Sequence, residues 1–119
     1  GNSVCGYGVH YVNSTTYLIY AGVLDGVATT CQTANHNYQA GTDLIVETDT
    51  LTNSNMEMRA SFLDIFFEPP DPKTYINNNA SLGAPSTTIR IQLKGQINCA
   101  QQTCTLITVY TSGRIDMVN

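Results

Sequence analysis

Four cysteines, two histidines and nine carboxylates are the side chains best able to do chemistry here, and their spacing decides which kind. A zinc site needs close thiolate pairs of the C-x2-C type with further Cys or His at set spacing. No C-x2-C occurs, and His10 and His36 stand alone. Disulfides are therefore expected for Cys5, Cys31, Cys99 and Cys104, and with them an oxidising compartment. Four cysteines allow three pairings, which sequence alone does not separate. Spacing ranks them. Cys99 and Cys104 lie between two strand-like runs, where a hairpin would bring their Cα atoms to the roughly 5.5–6 Å a disulfide needs. Cys5 then pairs with Cys31, tying the amino end to the loop after the first hairpin. Chain entropy puts the two closures at about 2 and about 3–4 kcal/mol.

Catalysis finds no framework. A nucleophilic triad needs a histidine held between a hydroxyl or thiol and a third group. His10 alternates within a strand-like run, as a structural histidine on a sheet face would, and His36 sits in a loop, Asn35-His36-Asn37-Tyr38, where solvation is expected. Paired carboxylates such as Glu47 with Asp49, or Glu57 with Glu68, arise readily among nine acids. Asp25-Gly26 and Asp43-Leu44 lack the dense spacing of a calcium loop, and Asp71 follows two prolines in what reads as a rigid acidic turn. No catalytic residue, metal ligand or cofactor is assigned, and the chain is read as a non-enzyme.

Seven tyrosines and no tryptophan suggest contact chemistry instead. Tyrosine supplies rigid amphipathic area at recognition surfaces, although the same rings also pack on sheet faces. Tyr11, Tyr17, Tyr38 and Tyr75 are the candidates. The loop positions His36, Asp71, Lys73 and Asn78 join Tyr38 and Tyr75 in the expected recognition surface. Asn13-Ser14-Thr15 and Asn79-Ala80-Ser81 match the glycosylation acceptor pattern.

Composition narrows the partners. The 119 residues fit one domain, 1–119, with a net charge of -4 and only five Lys+Arg. Binding to a phosphate backbone draws on clustered cations. Arg59, Lys73, Arg90, Lys94 and Arg114 are spread along the chain, so nucleic acid and anionic membranes are disfavoured. No run approaches the roughly 18 apolar residues of a membrane span. A disulfide-bonded protein must nonetheless cross a membrane, and the expectation is a targeting or anchoring segment ahead of Gly1.

These side chains would be positioned almost wholly by strands. Period-2 alternation rich in β-branched and aromatic residues marks Tyr7–Val12, Tyr17–Gly22, Asp43–Thr48, Met56–Phe62, Asp64–Glu68, Thr87–Lys94, Cys104–Tyr110 and Arg114–Val118. Val23–Gly41 and Pro69–Pro85 read as long loops, because Gly, Asn, Thr and Pro interrupt any period there. No segment carries a helical apolar stripe. The predicted fold is all-β: a two-sheet, antiparallel, sandwich-like domain of about eight short strands.

Three stretches then resemble a family. Cys5-Gly6-Tyr7-Gly8-Val9-His10-Tyr11 with Tyr17-Leu18-Ile19-Tyr20-Ala21 looks like the first hairpin of GspH/FimT-like minor pilins and pseudopilins. Ile65-Phe66-Phe67-Glu68-Pro69-Pro70-Asp71-Pro72-Lys73-Thr74-Tyr75-Ile76 is similar to a mid-domain segment of prepilin-type proteins. Ile107-Thr108-Val109-Tyr110-Thr111-Ser112-Gly113-Arg114-Ile115 resembles their closing hairpin. The resemblance implies the head of a type IV pilin or related subunit, lacking the long N-terminal helix that anchors such subunits and later forms the filament core. It implies a structural function on an extracellular, cell-surface filament, used for adhesion, motility or uptake. Other pilin subunits would be its partners, with a host or neighbouring cell surface as a target. Membrane contact would come only through the absent helix. Some relatives bind DNA through a basic carboxy-terminal stretch, but Arg114-Ile115-Asp116-Met117-Val118-Asn119 has one cation and one acid. The alternative is a secreted adhesin or carbohydrate-binding sandwich with no filament role.

Overall fold

The computed structural model describes residues 3–24, 26–69, 73–81, 86–97 and 104–118. Nine strands are present among them: β1 (Val4–Asn13), β2 (Thr16–Val23), β3 (Leu44–Thr50), β4 (Met56–Ala60), β5 (Asp64–Glu68), β6 (Lys73–Ile76), β7 (Thr87–Leu93), β8 (Cys104–Val109) and β9 (Ile115–Val118). They form two antiparallel sheets, ordered β3-β2-β1-β5-β6 and β4-β7-β8-β9. The two-sheet all-β expectation is met.

The strand beyond the expected eight is β6, inside the stretch read as a loop. Its four residues pair with β5, from Ile65 opposite Ile76 to Glu68 opposite Lys73. A tight turn closes the far side of β6, with Asn77 and Asn78 at φ 48° and 67° and Asn79 bridged back to Ile76. Asparagine tolerates this left-handed backbone, which explains an Asn-rich run directly after a strand. Composition therefore masked a short strand. The prolines do end β5, which stops at Glu68.

Register sorts the side chains of the first sheet into two faces. Opposed residues share a face. Tyr7, Val9 and Tyr11 stand with Ala21, Ile19 and Tyr17 on one side, joined by Phe67 and Ile65. Gly6, Gly8 and His10 stand with Gly22, Tyr20 and Leu18 on the other, joined by Phe66 and Asp64. The glycine-bearing face is covered by the long loop after β2. Its core is Cys5, Tyr20, Phe66 and Tyr75, with Leu24, Cys31, Tyr38 and Ala80 packed against it. Glycine is required under these rings. A Cβ at Gly22 would lie 2.6 Å from Phe66 Cε1, and Phe66 is fully buried.

The opposite face meets the second sheet. Phe62, Ile65, Ile76 and Val109 form that core, with Tyr11, Ala60, Phe67 and Ile89 around it. The Tyr11 hydroxyl donates to the Met58 carbonyl at 3.0 Å, and Met58 N–H donates to the Ser14 carbonyl, which fastens β4 under the first hairpin. The molecule is extended, 47 × 30 × 19 Å, with a radius of gyration of 15.2 Å. A compact chain of this length would have about 13.5 Å.

Candidate functional site

The expected recognition residues separate into buried and exposed groups. His36 is 3% exposed, which corrects the expectation of a solvated loop histidine. Its ring stacks on Tyr75 at 3.6 Å and 10° between planes. Nδ1 lies 2.8 Å from Asn78 Oδ1, and Nε2 lies 2.8 Å from the Cys31 carbonyl oxygen. Asn78 Oδ1 also accepts the His36 backbone N–H at 3.0 Å, so the β6 turn grips both the loop backbone and its side chain. Tyr75, 6% exposed, donates its hydroxyl to Glu68 at 3.1 Å. Burial, then the Glu68 bond, pushes its pKa up to about 12.

Two further groups close this lock. The fully buried Tyr20 donates its hydroxyl to the His36 carbonyl at 2.7 Å, and burial drives its pKa well above the ordinary phenol range. Asp64, 4% exposed, accepts the Tyr38 N–H at 3.1 Å and lies 2.9 Å from His10 Nδ1. Cys5 and Cys31 form the disulfide, with Cα atoms 5.4 Å apart. Of the expected recognition residues, Tyr38 is half-buried against Tyr20, while Lys73 and Asn78 are exposed, Lys73 Nζ lying 5.7 Å from the Tyr75 ring centre. Asp71 lies outside the described residues. So does Cys99, the expected partner of Cys104, which is itself disulfide-bonded. His36, Tyr75 and Asn78 thus come together as a lock that holds the loop on the sheet. The signal in the sequence was the run of residues suited to hydrogen bonding within a loop, Asn35-His36-Asn37-Tyr38, set against an Asn-rich turn.

A different surface offers contact area. The two sheets splay apart beyond their shared core and leave an open apolar trough of about 160 Å³. Val9, Tyr11 and Tyr17 form one wall, and Met58, Ile89, Ile91 and Ile107 the other. The register brings the second wall together: Met58 faces Ile91 and Ile89 faces Ile107 across the ladder. The tyrosines turn their polar tips aside. Tyr11 bonds the Met58 carbonyl, and the Tyr17 pKa is raised by burial first and then by the neighbouring Asp49 carboxylate. The apolar face continues outward. Leu93, Ile115 and Met117 share it and are 42%, 56% and 65% exposed. Exposed apolar faces of this kind are typical of protein–protein or membrane interaction sites. Alternation made these residues legible as a sheet face, but not that the facing sheet leaves them open.

Among the described residues no cluster of three His, Cys, Asp or Glu could hold a metal ion, and no helix is long and apolar enough to cross a membrane. No family model, curated protein or solved structure matches the chain.

Proposed function

We propose that this chain is the globular head of a type IV pilin-like filament subunit, and that the trough between its sheets receives the apolar face of the subunit's helix. The trough carries the reading. Its walls are apolar side chains from both sheets, and hydrophobic association there needs an occupant without charge. An amphipathic helix laid in an apolar groove is an established recognition mode. Such a helix would bury Val9, Ile91 and Ile107 and leave the loop-covered face outward for contacts with neighbouring subunits or a target surface. Assembly would then be non-covalent, driven by apolar burial.

The test is to express the subunit from its complete gene with a cysteine at Ile91→Cys and a second cysteine placed in turn along the upstream segment. Expected are about 20 apolar residues upstream of Gly1, in line with a span-length helix, and crosslinks that recur at helical spacing. A cleavable signal peptide ending in small residues, with a released monomeric head, would overturn the filament reading in favour of a free secreted domain.

A further inference from the structure

The outer face of the second sheet carries an arrangement the filament reading does not use. Arg59 on β4 and Arg90 on β7 are directly opposed in the ladder. Like charges directly opposite one another destabilise a strand pair. Here they are two of only five cations in a chain of net charge -4, so their juxtaposition is not a by-product of a basic surface. Their local neutralisation is incomplete. Arg59 Nε lies 3.4 Å from Glu57 Oε1, but that carboxylate is also engaged by Gln92 Nε2 at 2.7 Å and by the Gly95 N–H at 3.3 Å. Arg90 donates one terminal nitrogen to the Ile97 carbonyl at 3.1 Å, while its Nε is buried without a hydrogen-bond partner.

The two arginines line one shallow cleft of about 250 Å³ together with Ser61, Thr88, Ala60 and Leu106. The hydroxyls are held in place: Ser61 Oγ lies 2.8 Å from Thr87 Oγ1 and accepts the Thr88 N–H at 3.0 Å. Leu106 stands opposite Arg90 on β8 and supplies an apolar wall. We propose that this cleft is a binding site for an acidic sugar residue, with Arg59 and Arg90 receiving its oxyanion. Guanidinium groups match planar carboxylates and sulfates through paired N–H donors. Ser61 and Thr88 offer hydroxyl partners for the ring hydroxyls, and Leu106 meets its C–H surface. The shallowness suits a residue within a chain, flanked on both sides by solvent. The inference does not depend on the filament reading.

The experiment is thermal unfolding and amide NMR of the disulfide-bonded domain with sodium glucuronate, sodium sulfate, glucose, or sodium chloride at matched ionic strength. Glucuronate and sulfate should raise Tm beyond chloride and shift the Ser61, Thr88 and Arg90 amides, with glucose inert. Arg59→Gln should weaken glucuronate binding about tenfold, the value of one charge-assisted hydrogen-bond partner. Arg59 is exposed enough for the variant to fold. Arg90→Gln should lose the same response. A response to glucuronate no greater than to chloride, a response that survives Arg59→Gln, or binding of sulfate without glucuronate would each overturn the acidic-sugar site. Loss of the trough crosslinks would leave it untouched.

Discussion

Tyr20→Phe removes one oxygen atom and tests whether the loop after β2 is locked from beneath. The Tyr20 ring is fully buried, and its hydroxyl donates to the His36 carbonyl at 2.7 Å. The phenyl ring keeps the packing with Phe66 and Tyr38, so the change isolates the bond. Leaving a buried carbonyl without its donor costs about 1–3 kcal/mol. For 119 residues the unfolding entropy is about 0.25 kcal/mol/K, so each kcal/mol lowers Tm by about 4 °C. The expected fall is therefore about 4–12 °C. Differential scanning calorimetry of the oxidised domain reads it, and hydrogen exchange locates it. The amides of Thr33, Ala34 and Tyr38 should lose protection before those of β1 and β5. An unchanged Tm, or a loss of protection spread evenly over both sheets, would refute the claim that Tyr20 acts through the loop.

Three other outcomes follow from the same packing. Gly22→Ala should destabilise by about 3 kcal/mol, because its new methyl meets the immobile Phe66 ring; urea denaturation at unchanged m-value checks it. Replacing Cys5 and Cys31 by Ser opens a loop with a sequence separation of 26 and should cost about 3.5 kcal/mol, seen as a Tm lowered by about 14 °C. At high pH, Tyr75 remains neutral in the folded state up to about 12, whereas in the unfolded chain it ionises at its ordinary value. The unfolded state then binds fewer protons, so stability should fall as pH rises through that window. Tyr75→Phe should flatten the slope, measured by denaturation midpoints across alkaline pH.

Much of this architecture was legible because alternation reports a face directly. Ile89 and Ile91 fall on one side of β7 and Arg90 on the other, as their spacing requires. The disulfide between Cys5 and Cys31 was legible for a different reason, since a long loop needs a pin. β6 was not legible, because four residues between prolines and asparagines carry too short a period to rise above their composition. Nor was the role of His36. Its burial depends on an asparagine 42 positions away, and nothing local marks that partner. The Arg59–Arg90 opposition is hidden for the same reason: β4 and β7 are far apart in the chain, and only the register brings their cations together.

The disulfide has a mechanical consequence. β1 is the central strand of the first sheet, hydrogen-bonded to β2 on one side and β5 on the other. Tension entering at the amino end reaches Val4 and, one residue later, Cys5, whose sulfur leads to Cys31 in the clamped loop. Load is therefore divided at once between a covalent branch and two ladders pulled lengthwise, where many hydrogen bonds resist together. The strand cannot be peeled away one bond at a time past Cys5. A pull applied at the first residues would therefore be shared from the start, with the loop held by Cys31 serving as the second strap.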